Sequence, residues 1–410
     1  VGSLSLWQLR DTAVARSIPF LKRLTQTSFT ELSVSARLMA WQSAFRSIKD
    51  HPILGWGANN AYYGLNKYYN PALVRFDPNE TQTHLTWYDK SHNAYLDLLA
   101  EKGIVGALLY LALILVTARS LWLLRDRYYA FFTSGSLTAY LVSNFVAFDS
   151  FGSLYGLYLF LTPLLISNYE KEPRGPEHVR AAPADGSKGG ATIARLSGAL
   201  RKPAAIFVLL LSLCGLYVGV EMGAASVGYQ DAQQAFAQDP DSGLRFYEAA
   251  FQHYSPYQKL EKLRCAILTT ESVLNKRPLR DPTGSTQRAL QWAQEAAAAL
   301  PRDPSVFISL ADMYNNLGIY MDKSFLDKAE YFGKRALELS PKRQEAAFCL
   351  GRTYVLRNDA PRAVELNEHM VSDYPAYPLA HWFLGLSLIA DGKRDEARRE
   401  VAQKDVELAR

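Results

Sequence analysis

The stretch that decides the fold reads SHNAYLDLLAEKGIVGALLYLALILVTARSLWLL, residues 91–124. Ser91 and Asn93 are residues that cap helices, and the leucines behind them give a helix one apolar side. From Gly103 to about Leu124 the chain is apolar, with Arg119 near its end. A bilayer crossing takes about 20 mostly apolar residues, so this second part reads as a membrane span. Three further runs have the same character: Tyr128–Phe148 between Arg127 and Asp149, Phe151–Tyr169, and the shorter, uncharged Pro203–Val220. The alternative is a set of buried helices in a large soluble core, and four such runs in 118 residues argue against it. The pattern predicts an all-α, polytopic helical membrane protein with about four spans.

The rest of the composition is consistent with several domains. At roughly 100–200 residues per domain, 410 residues leave room for two to four. A hydrophobic fraction of 49% and a charged fraction of 21% exclude a disordered chain. The mean hydropathy of −0.11 averages an apolar region at 104–220 with a polar, Ala-rich one at 228–410. A net charge of +5, spread along the chain, does not fit a nucleic-acid partner. Three cysteines make neither a disulfide framework nor a metal cluster, and Cys265 and Cys349 read as small core residues. The chain opens on Val1 without a signal peptide of the usual form, which suggests a fragment or processed product.

Lysine and arginine set the sidedness. Arg119, Arg125 and Arg127 crowd the turn between the first two runs, against Asp126 alone. Residues 170–202 carry Lys171, Arg174, Arg180, Lys188, Arg195, Arg201 and Lys202, whereas the turn at Asp149–Ser150 has no basic residue. By the positive-inside rule the basic turns are cytoplasmic. The expected organisation is therefore an extracytoplasmic loop at 1–102, three transmembrane helices at 103–169 and a cytoplasmic linker at 170–202. A fourth transmembrane helix at 203–220 and an extracytoplasmic repeat domain at 221–410 follow. Both large polar parts then share one compartment.

Self-similarity at 34 residues runs through the C-terminal part. Pro341, Leu350, Gly351 and Ala363 recur as Pro375, Leu384, Gly385 and Ala397. That is the tetratricopeptide period, in which small residues let two helices approach and larger ones fill between units. Ala289, Ala296 and Pro301 precede Ala329, Ala336 and Pro341 by 40 residues, which places a six-residue insertion around Asn316–Lys323. Asn367 and Met370 depart from the pattern, standing where an aromatic and a small residue are usual. Three to four tetratricopeptide-like repeats are expected, forming an α-solenoid that presents a concave surface to a protein partner.

Two segments ahead of the first span carry chemistry. In SARLMAWQSAFRSIKDHPILGWG, residues 35–57, Leu38, Trp41, Phe45 and Ile48 recur at helical spacing, so an amphipathic helix ends at Pro52. Arg37 lies on the flank of that stripe near Trp41, placed for an anion, whereas Arg46 and Lys49 read as solvated. Gly55 and Gly57 allow a sharp turn. In the second segment His92 sits at a helix N-terminus, where free N–H groups attract phosphate, and Gly103 and Gly106 open the span.

Arg37 followed by Trp41, then DHPILGWG at 50–57, then His92-Asn93 nine residues before Gly103, with Gly106 and a span behind it, resembles the O-antigen ligase and polymerase family of bacterial surface-polysaccharide assembly. The resemblance covers about residues 33–169. It implies a polytopic enzyme of the bacterial inner membrane, working without a metal or other cofactor. The donor would be an undecaprenyl-diphosphate-linked glycan, and a glycan, lipid or protein hydroxyl on the outer face the acceptor. It further implies Arg37 on the diphosphate, His92 as base or phosphate contact, and Asn93 and Trp41 beside the substrate. Members have more spans than this chain carries, so the chain reads as a C-terminal portion, inactive alone.

Other readings of the loop stand beside this one. His84, Asp89 and His92 match no strong metal-ligand spacing. Asp97 and Glu101 offer paired carboxylates for glycoside hydrolysis, though at this spacing they read as solvated charges. Tyr62, Tyr63, Tyr68, Tyr69, Trp87 and Tyr88 stack on sugars or form an interfacial belt. A polymerase, or a non-catalytic membrane scaffold acting through its repeats, is the alternative to a ligase.

Overall fold

The computed structural model describes residues 32–76, 89–123, 127–145 and 188–408. Among the described residues there are fourteen α-helices, one 3-10 helix and no strand. They fall into two compact units, one drawn from residues 1–164, 337–351 and 358–410, the second from 165–336 and 352–357.

In the first unit α1 (Leu32–Ile48) packs against α2 (Ala61–Lys67), a 3-10 helix (Pro71–Phe76) and α3 (Ala94–Trp122). It buries a face of small residues, and part of the apolar stripe is left exposed. Ala36, Ala40, Ser43, Ala44 and Ser47 are buried, whereas Leu38 is 50% and Phe45 57% exposed. Small residues at helical spacing let α1 approach its neighbours closely, so Leu38 and Phe45 are left on the outer face while Trp41 and Ile48 pack at its edge. There Ser35, Leu38, Met39, Trp41, Gln42 and Phe45 line an open, apolar groove of about 510 Å³.

Helix α3 is two helices joined at a break. Gly103, at φ 60° and ψ −165°, interrupts the ladder in a backbone region essentially confined to glycine. A break leaves carbonyls before it and amides after it without intrahelical partners. The 52–57 turn supplies them. Trp56 and Gly57 donate their N–H groups to the carbonyls of Ala100 and Glu101 at 2.8 and 2.9 Å. Ile104 and Val105 donate to the carbonyls of Pro52 and Ile53 at 2.9 and 3.3 Å.

Beyond the break, α3 is apolar on every side, and 11% of its most apolar window is buried in the molecule. A core helix of a soluble protein would be mostly covered, so a lipid environment accounts for this surface better. Helix α4 (Arg127–Ser143) returns alongside it: Ala94 donates its N–H to Asn144 O at 2.9 Å, and the Tyr95 hydroxyl donates to Leu141 O at 2.6 Å.

Among the described residues, α3 is the one helix both long and apolar enough to cross a membrane, against the four spans expected. The second expected span is the 17-residue α4. It is diluted by Thr133, Ser134, Ser136 and Thr138, and the hydroxyls of Ser136 and Thr138 bond back to the carbonyls of Phe132 and Ser134. Phe151–Tyr169 lies outside the described residues, as do 170–187 of the expected linker. The fourth, 203–220, lies within the 51-residue helix α5 (Lys188–Gln238), so residues 188–202 of that linker are helical.

The second unit continues from α5 through α6 (Pro240–Ala250), α7 (Gln258–Leu274), α8 (Pro282–Ala299), α9 (Pro304–Tyr320) and α10 (Phe325–Leu339). Three of these begin with an Asp-Pro pair. Asp239, Asp281 and Asp303 accept hydrogen bonds from first-turn amides, and the proline behind each needs none. Ala289, Ala296, Ala311, Ala329 and Ala336 are fully buried. Helix α9 runs 17 residues and exposes Ile319, Tyr320 and Met321, inside the segment where an insertion was expected.

The chain closes with α11 (Gln344–Leu356), α12 (Ala360–Asp373), α13 (Pro378–Ala390) and α14 (Arg394–Leu408). In the first unit a Cβ on Gly351 would stand 3.0 Å from Asn367 Nδ2, and one on Gly385 2.8 Å from Val401 Cγ2. The atypical Asn367 is buried and donates to Ser387 Oγ at 2.9 Å. These are close helix approaches at small residues; the repeat period itself remains a feature of the sequence.

A Cβ at position 103 would lie 2.2 Å from Ile53 O. Gly103→Ala should therefore undock the 52–57 turn, destabilising the loop by on the order of 2 kcal/mol or more. Hydrogen exchange at the Trp56 and Gly57 amides measures this directly, and both should exchange far faster in the variant.

Candidate functional site

The turn that carries His92 is built before it reaches the helix. Asn93 is the N-cap of α3, its Oδ1 accepting from the N–H groups of Tyr95 and Leu96 at 3.0 and 3.1 Å. Its Nδ2 donates to Phe145 O at 3.1 Å. Both ends of the amide are thus engaged within the fold, and one Nδ2 hydrogen is left over beyond these three bonds. Ser91, fully buried, donates its N–H to Asp97 Oδ1 at 2.8 Å and its hydroxyl to Asn93 O at 3.2 Å. Held between these two anchors, His92 adopts φ 57°, the left-handed region uncommon for a residue with a Cβ. Backbone strain at one position amid dense hydrogen bonding is a feature of functional turns.

His92 is half-buried and held below its ordinary value of 6.5. Burial is the largest cause and the charge of Arg37 the next; Asp89 and Asp97 pull the other way. The imidazole is therefore neutral near pH 7, able to accept a proton. That Arg37 acts on His92 places the two in one field, although 55 residues separate them in sequence. Arg37 itself is half-buried on α1. One turn on, Trp41 packs against the cluster of Ala44, Leu65 and Leu96, joining α1 to the first turn of α3. Its Nε1 is buried and finds no hydrogen-bond partner among the described residues.

Around this pair lie acids the sequence reading placed in solvent. Asp97 and Glu101 are both buried. Burial pushes the Asp97 carboxyl up, against the Ser91 hydrogen bonds that pull it down, and its Oδ2 has no partner among the described residues. Glu101 accepts a hydrogen bond from the Lys90 ammonium. Helical spacing alone missed this because the partners, Ser91 for Asp97 and Lys90 with the 52–57 turn for Glu101, lie outside the helix.

The four glycines take up structural places. Gly55 has φ 72°, and a Cβ there would stand 2.3 Å from the Glu101 carbonyl carbon. Gly57 (φ 103°) donates to Glu101 O, and Gly103 is the break itself. Gly106 faces the Lys102 side chain. Trp56 closes the turn, donating from Nε1 to Ser47 O at 3.0 Å, with the His51 ring edge-on to it at 4.4 Å. Arg46 and Lys49 are exposed. Of the loop aromatics, the rings of Tyr62 and Tyr63 lie 4.1 Å apart, tilted by 36°, and Tyr69 is buried, while Trp87, Tyr88 and His84 lie outside the described residues.

A family described as O-antigen ligase matches residues 3–111, roughly a quarter of the chain. The matched region contains α1, the 52–57 turn, the His92 turn and the break at Gly103, and it ends within α3. Proteins of that family are membrane proteins, and the family points to a glycosyltransferase acting on lipid-linked glycans. No curated protein matches the chain.

The charges around His92 predict opposite responses to two neutralising changes. Arg37→Gln should raise the His92 pKa, because a repelling cation is gone; Asp97→Asn should lower it, because a stabilising anion is gone. Nitrogen-15 NMR titration of histidine-labelled protein resolves both directions, and a His92 unmoved by Arg37→Gln would separate the two residues.

Proposed function

We propose that the chain is a polytopic glycosyltransferase of the bacterial inner membrane. It moves an undecaprenyl-diphosphate-linked oligosaccharide onto an acceptor hydroxyl on the outer face, in the manner of an O-antigen ligase. The observation that carries this reading is the action of Arg37 on a half-buried, neutral His92 at the head of a lipid-long helix. In the step, the acceptor oxygen attacks the anomeric carbon while its proton passes to the His92 imidazole. The bond from that carbon to the diphosphate breaks, with inversion, and its electron pair leaves on the diphosphate. Arg37 offsets the charge that develops there, a fixed cation in a partly water-excluded site.

Other features support the parts of this reading. The apolar groove beside Arg37, with Leu38 and Phe45 exposed, suits a polyprenyl chain or the bilayer interior next to a bound diphosphate. Ser340 donates its hydroxyl to Asn66 O at 2.6 Å, which supports an outer loop and a C-terminal repeat domain in one compartment. The buried small residues at the 34-residue positions support tetratricopeptide-like packing, and a groove for a polypeptide favours ligation to a protein-borne or partner-presented acceptor.

Transfer is measured in membranes carrying the intact protein beside His92→Ala and Arg37→Ala, with expression and insertion matched. Each variant should lose at least about 100-fold in transfer while lipid-linked donor accumulates. Wild-type transfer by both variants would overturn the site. No transfer by the unaltered protein with a competent donor pool would favour a scaffold.

A further inference from the structure

The most completely buried cation among the described residues is one that the transfer site does not use. Arg343, at the start of α11, is 1% exposed. Its guanidinium lies over the ring of Tyr69, 4.2 Å from the centroid. Nη2 donates to Asn66 Oδ1 at 2.8 Å, and Nη1 donates to Glu345 at 3.2 Å. Two neighbours reinforce it: Ser340 Oγ donates to Asn66 O at 2.6 Å and Gln344 Nε2 to Pro71 O at 2.9 Å. Three side chains within five residues thus grip both ends of the short segment 66–71, some 270 residues earlier in the chain. A buried guanidinium costs much to desolvate and is tolerated where stacking and charge-assisted bonds replace its water.

The gripped segment leads to the site. Tyr69 is buried together with Ala36 and Leu73, and Met39 packs on the same cluster. Ala36 immediately precedes Arg37. The Tyr69 ring therefore has the guanidinium of Arg343 against it and shares its cluster with the turn of α1 that carries the proposed diphosphate contact. We propose that Arg343 is a positioning residue for transfer: from the C-terminal region it fixes Tyr69, and through the Tyr69–Ala36 contact it fixes Arg37 relative to His92. The proposal rests on the transfer reading for its consequence in catalysis, and on geometry alone for the ordering of α1. It gives the C-terminal region a part in the chemistry besides any acceptor it recruits.

The test uses the intact protein in lipid nanodiscs, comparing wild type, Arg343→Met, Arg343→Lys and Ser340→Ala. Amide exchange over residues 34–40 is followed in each, and kcat and acceptor KM for transfer from a polyprenyl-diphosphate glycan are measured in parallel. Arg343→Met should speed exchange over 34–40 and lower kcat by about tenfold or more, with acceptor KM within about twofold. Arg343→Lys, which keeps the charge but not the planar fork, should recover part of both. In an Arg37→Lys background, Arg343→Met should lower kcat by no more than about twofold further, because both changes act on the same contact.

Unchanged exchange over 34–40, or fully multiplicative losses in the double variant, would overturn the proposal. If Arg343→Met fails to insert, Ser340→Ala removes one bond of the grip and must show the same exchange effect in weaker form. If the wild type transfers nothing, the reaction reading falls, and exchange alone still decides whether Arg343 orders the Arg37 segment.

Discussion

The local architecture depends on one break in one helix. A helix long and apolar enough to cross a membrane that loses its ladder at Gly103 exposes backbone carbonyls and amides at the edge of an apolar region, where unsatisfied groups are costly. The turn 52–57 satisfies them on both sides of the break, with four backbone hydrogen bonds to residues 100, 101, 104 and 105. That pairing fixes the end of α1 against the middle of α3. Since α1 carries Arg37 and the head of α3 carries His92, it also sets the frame in which two distant side chains share one field. The glycines at 55 and 103 are needed because backbone meets backbone there, with no space for a Cβ.

Electrostatics then fits the frame to a task. Burial and the charge of an arginine hold a half-buried histidine below its ordinary value, which suits the proposed pairing of a proton acceptor with an anion contact. Asp97 moderates this without sharing the exposed face: its carboxylate is turned inward, accepting from Ser91 and supporting the strained turn. Asn93 has a similar supporting part, binding the first α3 amides and the end of α4. The proposed site is thus a half-buried pair on a buried polar foundation.

Much of this was legible in the sequence where local chemistry decides. The helix N-cap at Asn93, the end of the amphipathic helix before Pro52, the start of the apolar run at Gly103 and the all-α character follow from residue types and spacing. Reading outward failed where a distant segment decides. Leu38 and Phe45 belong to a stripe that suits a core or a membrane equally, and the closeness of packing turned the alanine and serine face inward. Asp97 and Glu101 look solvated, but Ser91 holds the first, and Lys90 and the 52–57 turn meet the second. Nothing in SPKRQEAA, residues 340–347, distinguishes Arg343 from an ordinary surface charge, because its partners Asn66 and Tyr69 lie some 270 residues away. The sequence places the opening of the apolar run at Gly103 but is silent about the backbone that fills the break there.

The most direct measurement of the central claim is proximity of positions 37 and 92 in the membrane. Cysteines placed at both, in intact protein with Cys214, Cys265 and Cys349 replaced, would be treated with a short bis-maleimide, with a Trp41–Leu96 cysteine pair as the control for packing between α1 and α3. The account predicts efficient cross-linking at 37–92 that falls when the Gly103 break is disturbed. Cross-linking at 41–96 without any at 37–92 would contradict it.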